Sequence, residues 1–122
     1  MGNIAKITDQ VKTFDDVLSI AGTTLEQLIH PSDTTDEAAY KKVKLIAKVL
    51  NEGWQPNWKD SDEYKYYPWF DLSSGSGLAY HGYDYNFSNS FVGSRLCFKS
   101  RELAKYAGTR FIDIYTELFI IK

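Results

Sequence analysis

Tyr64-Lys-Tyr-Tyr-Pro-Trp-Phe-Asp-Leu72 is the stretch on which the reading of the fold turns. Its alternation puts Tyr64, Tyr66, Phe70 and Leu72 on one face and Lys65, Tyr67, Trp69 and Asp71 on the other, the period of two that marks a strand. Pro68 has no N–H to give to a ladder, which assigns the segment to a sheet edge or to a bulge. Two further strands are expected, at 78–87 and 91–99. The links are Ser73-Ser-Gly-Ser-Gly77 and Ser88-Asn-Ser90, the second short enough for a hairpin. Sequential strands with short links predict a three-stranded antiparallel meander. A break of phase at Gly82 predicts a bulge in its middle strand.

Upstream, residues 1–53 read as helical. Thr13 precedes an apolar stripe of Phe14, Val17, Leu18 and Ala21, with Asp16 three residues after the cap and Gly22 as the stop. A short helical turn around Leu25, Leu28 and Ile29 closes at His30-Pro31. Thr34-x-x-Glu37 is a capping box that opens the longest helix of this half, with Ala39, Val43, Ile46, Ala47 and Leu50 at helical spacing. The run Lys41, Lys42, Lys44 and Lys48 lies largely off that face, and Gly53 fits the position just past the helix end. Downstream, Ser100 caps a final helix with Glu102 in its first turn. Its apolar face is Leu103, Ala107, Phe111, Ile114 and Leu118, widened by Tyr106 and Tyr115, and Gly108 marks a close helix contact or a break. The order has no βαβ alternation, so the expected class is α+β: N-terminal helices and a C-terminal helix packed on a three-stranded antiparallel meander. One domain over 1–122 is expected, divided into a helical region over 1–53, an aromatic-rich meander over 54–99 and a C-terminal helix over 100–122.

Composition excludes several functions. The 122 residues carry 14 Lys+Arg against 16 Asp+Glu, a formal charge of −2, with 43% hydrophobic and 25% charged residues. That is a globular balance, not a disordered tail or a dedicated polyanion binder. Aromatic residues reach 16%, and 13 of the 19 fall between Trp54 and Phe98. A chain this short leaves about a third of its surface in water, so some of those rings are available for contact. Residues 54–98 hold three basic and five acidic side chains, which disfavours long nucleic acid, whose affinity comes mainly from phosphate contacts. Met1-Gly-Asn-Ile-Ala-Lys6 has no apolar core of a secretory signal, and no apolar run approaches the ~20 residues of a membrane span. A cytoplasmic location in a host cell is therefore expected, with the virion as the second one and no membrane as partner.

Catalysis finds little support. Cys97, the only cysteine, sits in a strand-like Leu96/Cys97/Phe98 alternation with His30 and His81 as the available bases, and reads as a packed side chain. Tyr80-His-Gly-Tyr-Asp84 would let Asp84 orient His81, the one arrangement from which a hydrolase is conceivable. Asp60-x-Asp62-Glu63 is a candidate divalent-cation turn without the remaining oxygens of an EF-hand. One Cys and two dispersed His exclude structural zinc. No cofactor, metal or enzymatic activity is expected. Binding is better served, because Tyr, Trp and Arg dominate interaction hot spots. An aromatic-lined pocket for a nucleotide-like ligand needs only one or two cations or a helix start such as Ser100. Tyr67, Trp69 and Tyr83 are the expected contact rings, and Arg95, Lys99 and Arg101 the expected cations.

Four phrases carry a resemblance: Leu50-Asn-Glu-Gly-Trp-Gln-Pro-Asn-Trp58, Lys65-Tyr-Tyr-Pro-Trp-Phe70, Val92-Gly-Ser-Arg-Leu-Cys-Phe-Lys-Ser100 and Glu102-Leu-Ala-Lys-Tyr-Ala-Gly108. Together, over roughly residues 40–122, they resemble a family of small proteins from gut Bacteroides-type bacteria and their phages and mobile elements. No activity is attached to that family, so no site residues carry over. The resemblance implies a setting: accessory proteins of this kind act by stoichiometric binding of a host protein or a signalling nucleotide, including against host defence, or by decorating a virion. The expectation is a non-enzymatic binding module for a nucleotide-like ligand or a host protein. The alternative is a structural, virion or homo-oligomeric assembly protein.

Overall fold

The computed structural model describes residues 6–57, 59–60, 62–71, 79–86 and 95–120, with the side chains of residue 69, residue 71 and most of 79–86 outside that description. Among the described residues six helices and two strands follow in order: α1 (Ile7–Gln10), α2 (Phe14–Ala21), α3 (Leu25–Leu28), α4 (Thr35–Leu50), β1 (Lys65–Asp71), β2 (Ala79–Asn86), α5 (Arg101–Arg110) and α6 (Ile112–Phe119). Reciprocal capping boxes start three of the helices: Thr13 with Asp16, Thr24 with Gln27, and Thr34 with Glu37. Each satisfies first-turn N–H groups that have no partner inside the helix, and loss of such a cap costs about 1 kcal/mol. Gly22, at φ 73°, ends α2 in the left-handed conformation that glycine adopts without steric cost.

The core grows from α4, whose Ala39, Val43, Ile46, Ala47 and Leu50 are buried at helical spacing. It extends to Val11 and Val17 on one side and to Phe98, Leu103, Ala107, Phe111 and Ile114 on the other. Burying each of the larger of these side chains contributes about 1.5–3 kcal/mol. The segment before α2 is tied to α5 by Tyr106, whose hydroxyl donates to the Val11 carbonyl, and by Arg110, whose Nε donates to the Lys12 carbonyl.

The expected three-stranded meander does not form among the described residues, which are mostly helical with one two-stranded antiparallel ribbon. β1 pairs with β2 from Lys65↔Asn86 to Asp71↔Ala79, and a register shift between Trp69 and Phe70 leaves His81, beside Gly82, as the bulged residue. The segment expected as a third strand lies partly outside the described residues, at 87–94. Its described end makes a turn at Arg95-Leu96 and a single bridge from Phe98 to Tyr66. Two hydrogen bonds form the bridge, Tyr66 N to Phe98 O at 3.1 Å and Phe98 N to Tyr66 O at 2.7 Å. The partner is thus β1 and not β2, which puts β1 between the two instead of at an edge. Proline explains why this pairing goes no further. Alternate residues of β1 face the Phe98 side, and the next N–H due there after Tyr66 belongs to Pro68, which has none.

The C-terminal helix is also divided. Phe111, at φ −113° and ψ 32°, separates α5 from α6. The two halves bury different faces, α5 against the ribbon and α6 against α4, and one straight rod cannot serve both. Gly108 lies inside α5, and the break comes three residues later. No helix among the described residues is long and apolar enough to cross a membrane.

Candidate functional site

α4 carries a second stripe besides its buried one. Lys41, Lys44, Leu45, Lys48 and Asn51 recur at intervals of three and four, which stacks them along one side of the helix. The chain then leaves α4 through two left-handed residues in succession, Glu52 at φ 52° and Gly53 at φ 90°. Glycine takes this conformation freely, whereas Glu52 adopts it at a steric cost. The turn, closed by Trp54 N donating to Asn51 O at 3.0 Å, brings Trp54, Gln55 and Pro56 back beside that stripe. Leu28 of α3 and Arg95 complete the lining of an open groove of about 470 Å³. A volume of this size falls in the range of small-molecule sites.

The electrostatics of the groove are one-sided. Lys41, Lys44, Lys48 and Arg95 line it, and among the described residues no carboxylate does. Lys41 is engaged: its Nζ lies 2.6 Å from Asp33 Oδ2. That hydrogen bond, followed by the backbone N–H of His30, holds the Asp33 carboxyl below its ordinary range. Lys44, Lys48 and Arg95 have no ion-pair partner among the described residues. Lys44 and Lys48 stand one turn apart, a like-charge spacing that costs a helix a few tenths of a kcal/mol. On a chain of net charge −2, this is a local concentration of positive charge beside a half-buried indole.

Of the expected contact rings and cations whose side chains are described, Arg95 alone lines the groove. Lys99 is exposed, with Nζ 3.6 Å from Glu52 Oε1, and Arg101 is exposed at the start of α5, 3.4 Å from Glu102. At that helix start Ser100 Oγ accepts the Leu103 N–H at 3.2 Å and Glu102 stands in the first turn. Tyr67 is half-buried on β1, away from the groove lining. The ribbon brings the backbones of Trp69 and Tyr83 close, opposite Gly82 and Pro68, but their side chains lie outside the described residues, as do those of His81 and Asp84. The groove's other members, Trp54, Lys44 and Lys48, read in the sequence as loop and solvated helix face. The signal for them is the i, i+3, i+7 spacing of Lys41, Lys44 and Lys48 followed by a glycine turn into Trp54.

Two further candidates have a structural explanation. Cys97 is buried, and desolvation pushes its thiol up to about 11, so the thiolate that a nucleophile requires is not available near neutral pH. Asn57, Asp60 and Glu63 close around the ammonium of Lys65, which the alternation of β1 puts on the face of Tyr67 and Trp69. Lys65 is 0% exposed; its Nζ donates to the carbonyls of Asn57 and Asp60 at 3.0 and 2.9 Å and lies 3.5 Å from Glu63 Oε1. The same Glu63 oxygen accepts the Asn57 N–H at 2.7 Å, which fixes the far end of the groove's loop wall. Among the described residues no cluster of three or more His, Cys, Asp or Glu is placed to hold a metal ion. No family model matches the chain, and neither a curated protein nor a solved structure is similar to it.

Proposed function

We propose that this protein is a non-enzymatic binding module that takes a small anionic ligand with a planar ring into the groove between α4 and the 51–57 turn. One observation carries the reading: three cations without described partners converge with Trp54 on a cavity that no described carboxylate lines. Arg95 and the two lysines supply charge for the anionic end, and the indole supplies a stacking and cation–π surface for the ring. The resemblance to small proteins of phages and mobile elements supports binding over catalysis. It also gives the reading a setting, stoichiometric sequestration of a nucleotide-like host metabolite.

Native mass spectrometry of the freshly purified chain tests this directly. The expected result is a bound mass of several hundred daltons that is lost on denaturation and absent from Arg95→Ala and Trp54→Ala proteins of unchanged circular dichroism. A ligand retained equally by both variants would place the site elsewhere. A ligand-free oligomer whose size varies with concentration would replace this reading with an assembly role.

A further inference from the structure

Resting on the groove as a ligand site, we infer that its ligand is a nucleoside di- or triphosphate bound in the metal-free form. The number and spacing of the cations point to more than one phosphoryl group. Lys44 and Lys48 are separated by one helical turn, about 6 Å along the axis, and Arg95 faces them from a different segment of the chain. A carboxylate or single phosphate is compact and meets one or two of these groups. A chain of phosphoryl groups is long enough to meet all three. Trp54, with Leu28 and Pro56 beside it, offers the apolar and aromatic surface that suits a base and that inorganic polyphosphate would leave unused.

The lining also decides the state of the polyphosphate. Sites for magnesium nucleotides supply one or two carboxylates to the cation in addition to the phosphate oxygens. Among the described residues the groove lining has none, and its amides are Asn51 and Gln55. Asn51 is held at both ends of its amide, its Nδ2 donating to Cys97 O at 2.9 Å and its Oδ1 accepting Lys99 N at 3.0 Å. A bound divalent cation would cancel two of the ligand's negative charges and face the lysines with a charge of their own sign. Magnesium therefore competes with the protein for the phosphates.

Calorimetric titration of the full chain with the four ribonucleoside triphosphates, their monophosphates and inorganic tripolyphosphate tests the inference, each in EDTA and in excess Mg²⁺. In EDTA, at least one triphosphate is expected to bind about tenfold or more tighter than its monophosphate, and to weaken about tenfold or more in Mg²⁺ and in high salt. Lys44→Glu/Lys48→Glu and Arg95→Ala should lower triphosphate affinity by a similar factor. Trp54→Ala should weaken the nucleotide and leave tripolyphosphate unchanged. Equal binding of mono- and triphosphate, or indifference to Mg²⁺, overturns the inference while binding that still maps to Arg95 and Trp54 preserves the groove as a site. Tripolyphosphate binding as tightly as every nucleotide overturns the nucleoside assignment. No binding of any of these probes at millimolar concentration overturns the inference, and a bound mass in the native spectrum then shows whether the groove reading falls with it.

Discussion

Asn51 uses both ends of its amide on one short segment, bonding Cys97 O and Lys99 N and so fastening the Phe98 bridge to the end of α4. The side chain is nearly fully buried, and truncating it leaves a carbonyl and an N–H without their partners. Asn51→Ala is therefore expected to lose about 2–4 kcal/mol of stability in urea denaturation, on the cost of buried unsatisfied groups. Tyr115 is the opposite case. Its ring packs 5.0 Å from Phe70 and 6.2 Å from Phe119 between centroids, yet its hydroxyl is buried with no hydrogen-bond partner among the described residues. Desolvation alone holds that phenol in its neutral form. Removing the oxygen keeps the packing and ends the penalty, so Tyr115→Phe is expected to be neutral or stabilising by up to about 2 kcal/mol. A loss of more than about 1 kcal/mol on the same denaturation curve, a magnitude that marks a lost hydrogen bond, would mean that the hydroxyl is satisfied.

At the scale of elements, helix starts and the acid response belong together. Asp16 is bonded by the N–H groups of Lys12 and Thr13, Asp33 by Lys41 and His30 N–H, and Glu102 chiefly by its own backbone N–H and by Arg101; all three carboxyls are held below their ordinary values. A lowered value in the folded chain means that the native state favours the ionised form. The resulting stability is present above the ordinary values, 3.8 for Asp and 4.5 for Glu, and is lost as pH falls toward the lowered ones. The melting temperature followed by circular dichroism should hold from neutrality to about pH 5 and decline below about pH 4. Asp16→Asn with Asp33→Asn should flatten that decline. Elements are also the scale at which the sequence is most readable. Thr13, Thr34 and Ser100 cap the helices that their spacing announces, because a cap and its partner are three residues apart. The meander is misread because the fate of 95–99 depends on Pro68, some thirty residues away, and on the side of β1 that proline leaves without a donor. The burial of Lys65 is illegible for a similar reason. Alternation gives the face of a side chain, but not the loop that folds over it.

For the whole molecule, Cys97 is a probe of opening. It lies between Asn51 and the Phe98 bridge, 1% exposed, with a thiol raised to about 11 from 9.0. A raised value means that the protonated form is favoured in the folded chain, so this contribution is complete below pH 9.0 and disappears as pH rises through about 11. A thiol-reactive disulfide reagent at pH 8 is expected to label the native protein only at the rate of opening and to label it at once in strong urea. Rapid stoichiometric labelling of the native state would mean that the 97–99 segment detaches locally. The groove shows how far a site is legible at this scale. Arg95 stands out in a region poor in cations, whereas Trp54 meets Lys44 and Lys48 only because Glu52 and Gly53 both turn left-handed. Backbone hand at one non-glycine residue is not written in its side chain.

The Lys65 ammonium has a consequence for the groove above it. Inward-turned carbonyls around a buried positive charge are how many loops keep a shape with an ion drawn from solution, and such loops loosen when the ion is diluted or chelated. Here the charge is covalently attached to the strand it anchors, so its local concentration is set by the chain and not by the medium. The wall that carries Trp54 and Pro56 into Asn57 thus needs no outside supply to stand, and a reagent that strips metal ions from a competing site or from a ligand leaves it in place.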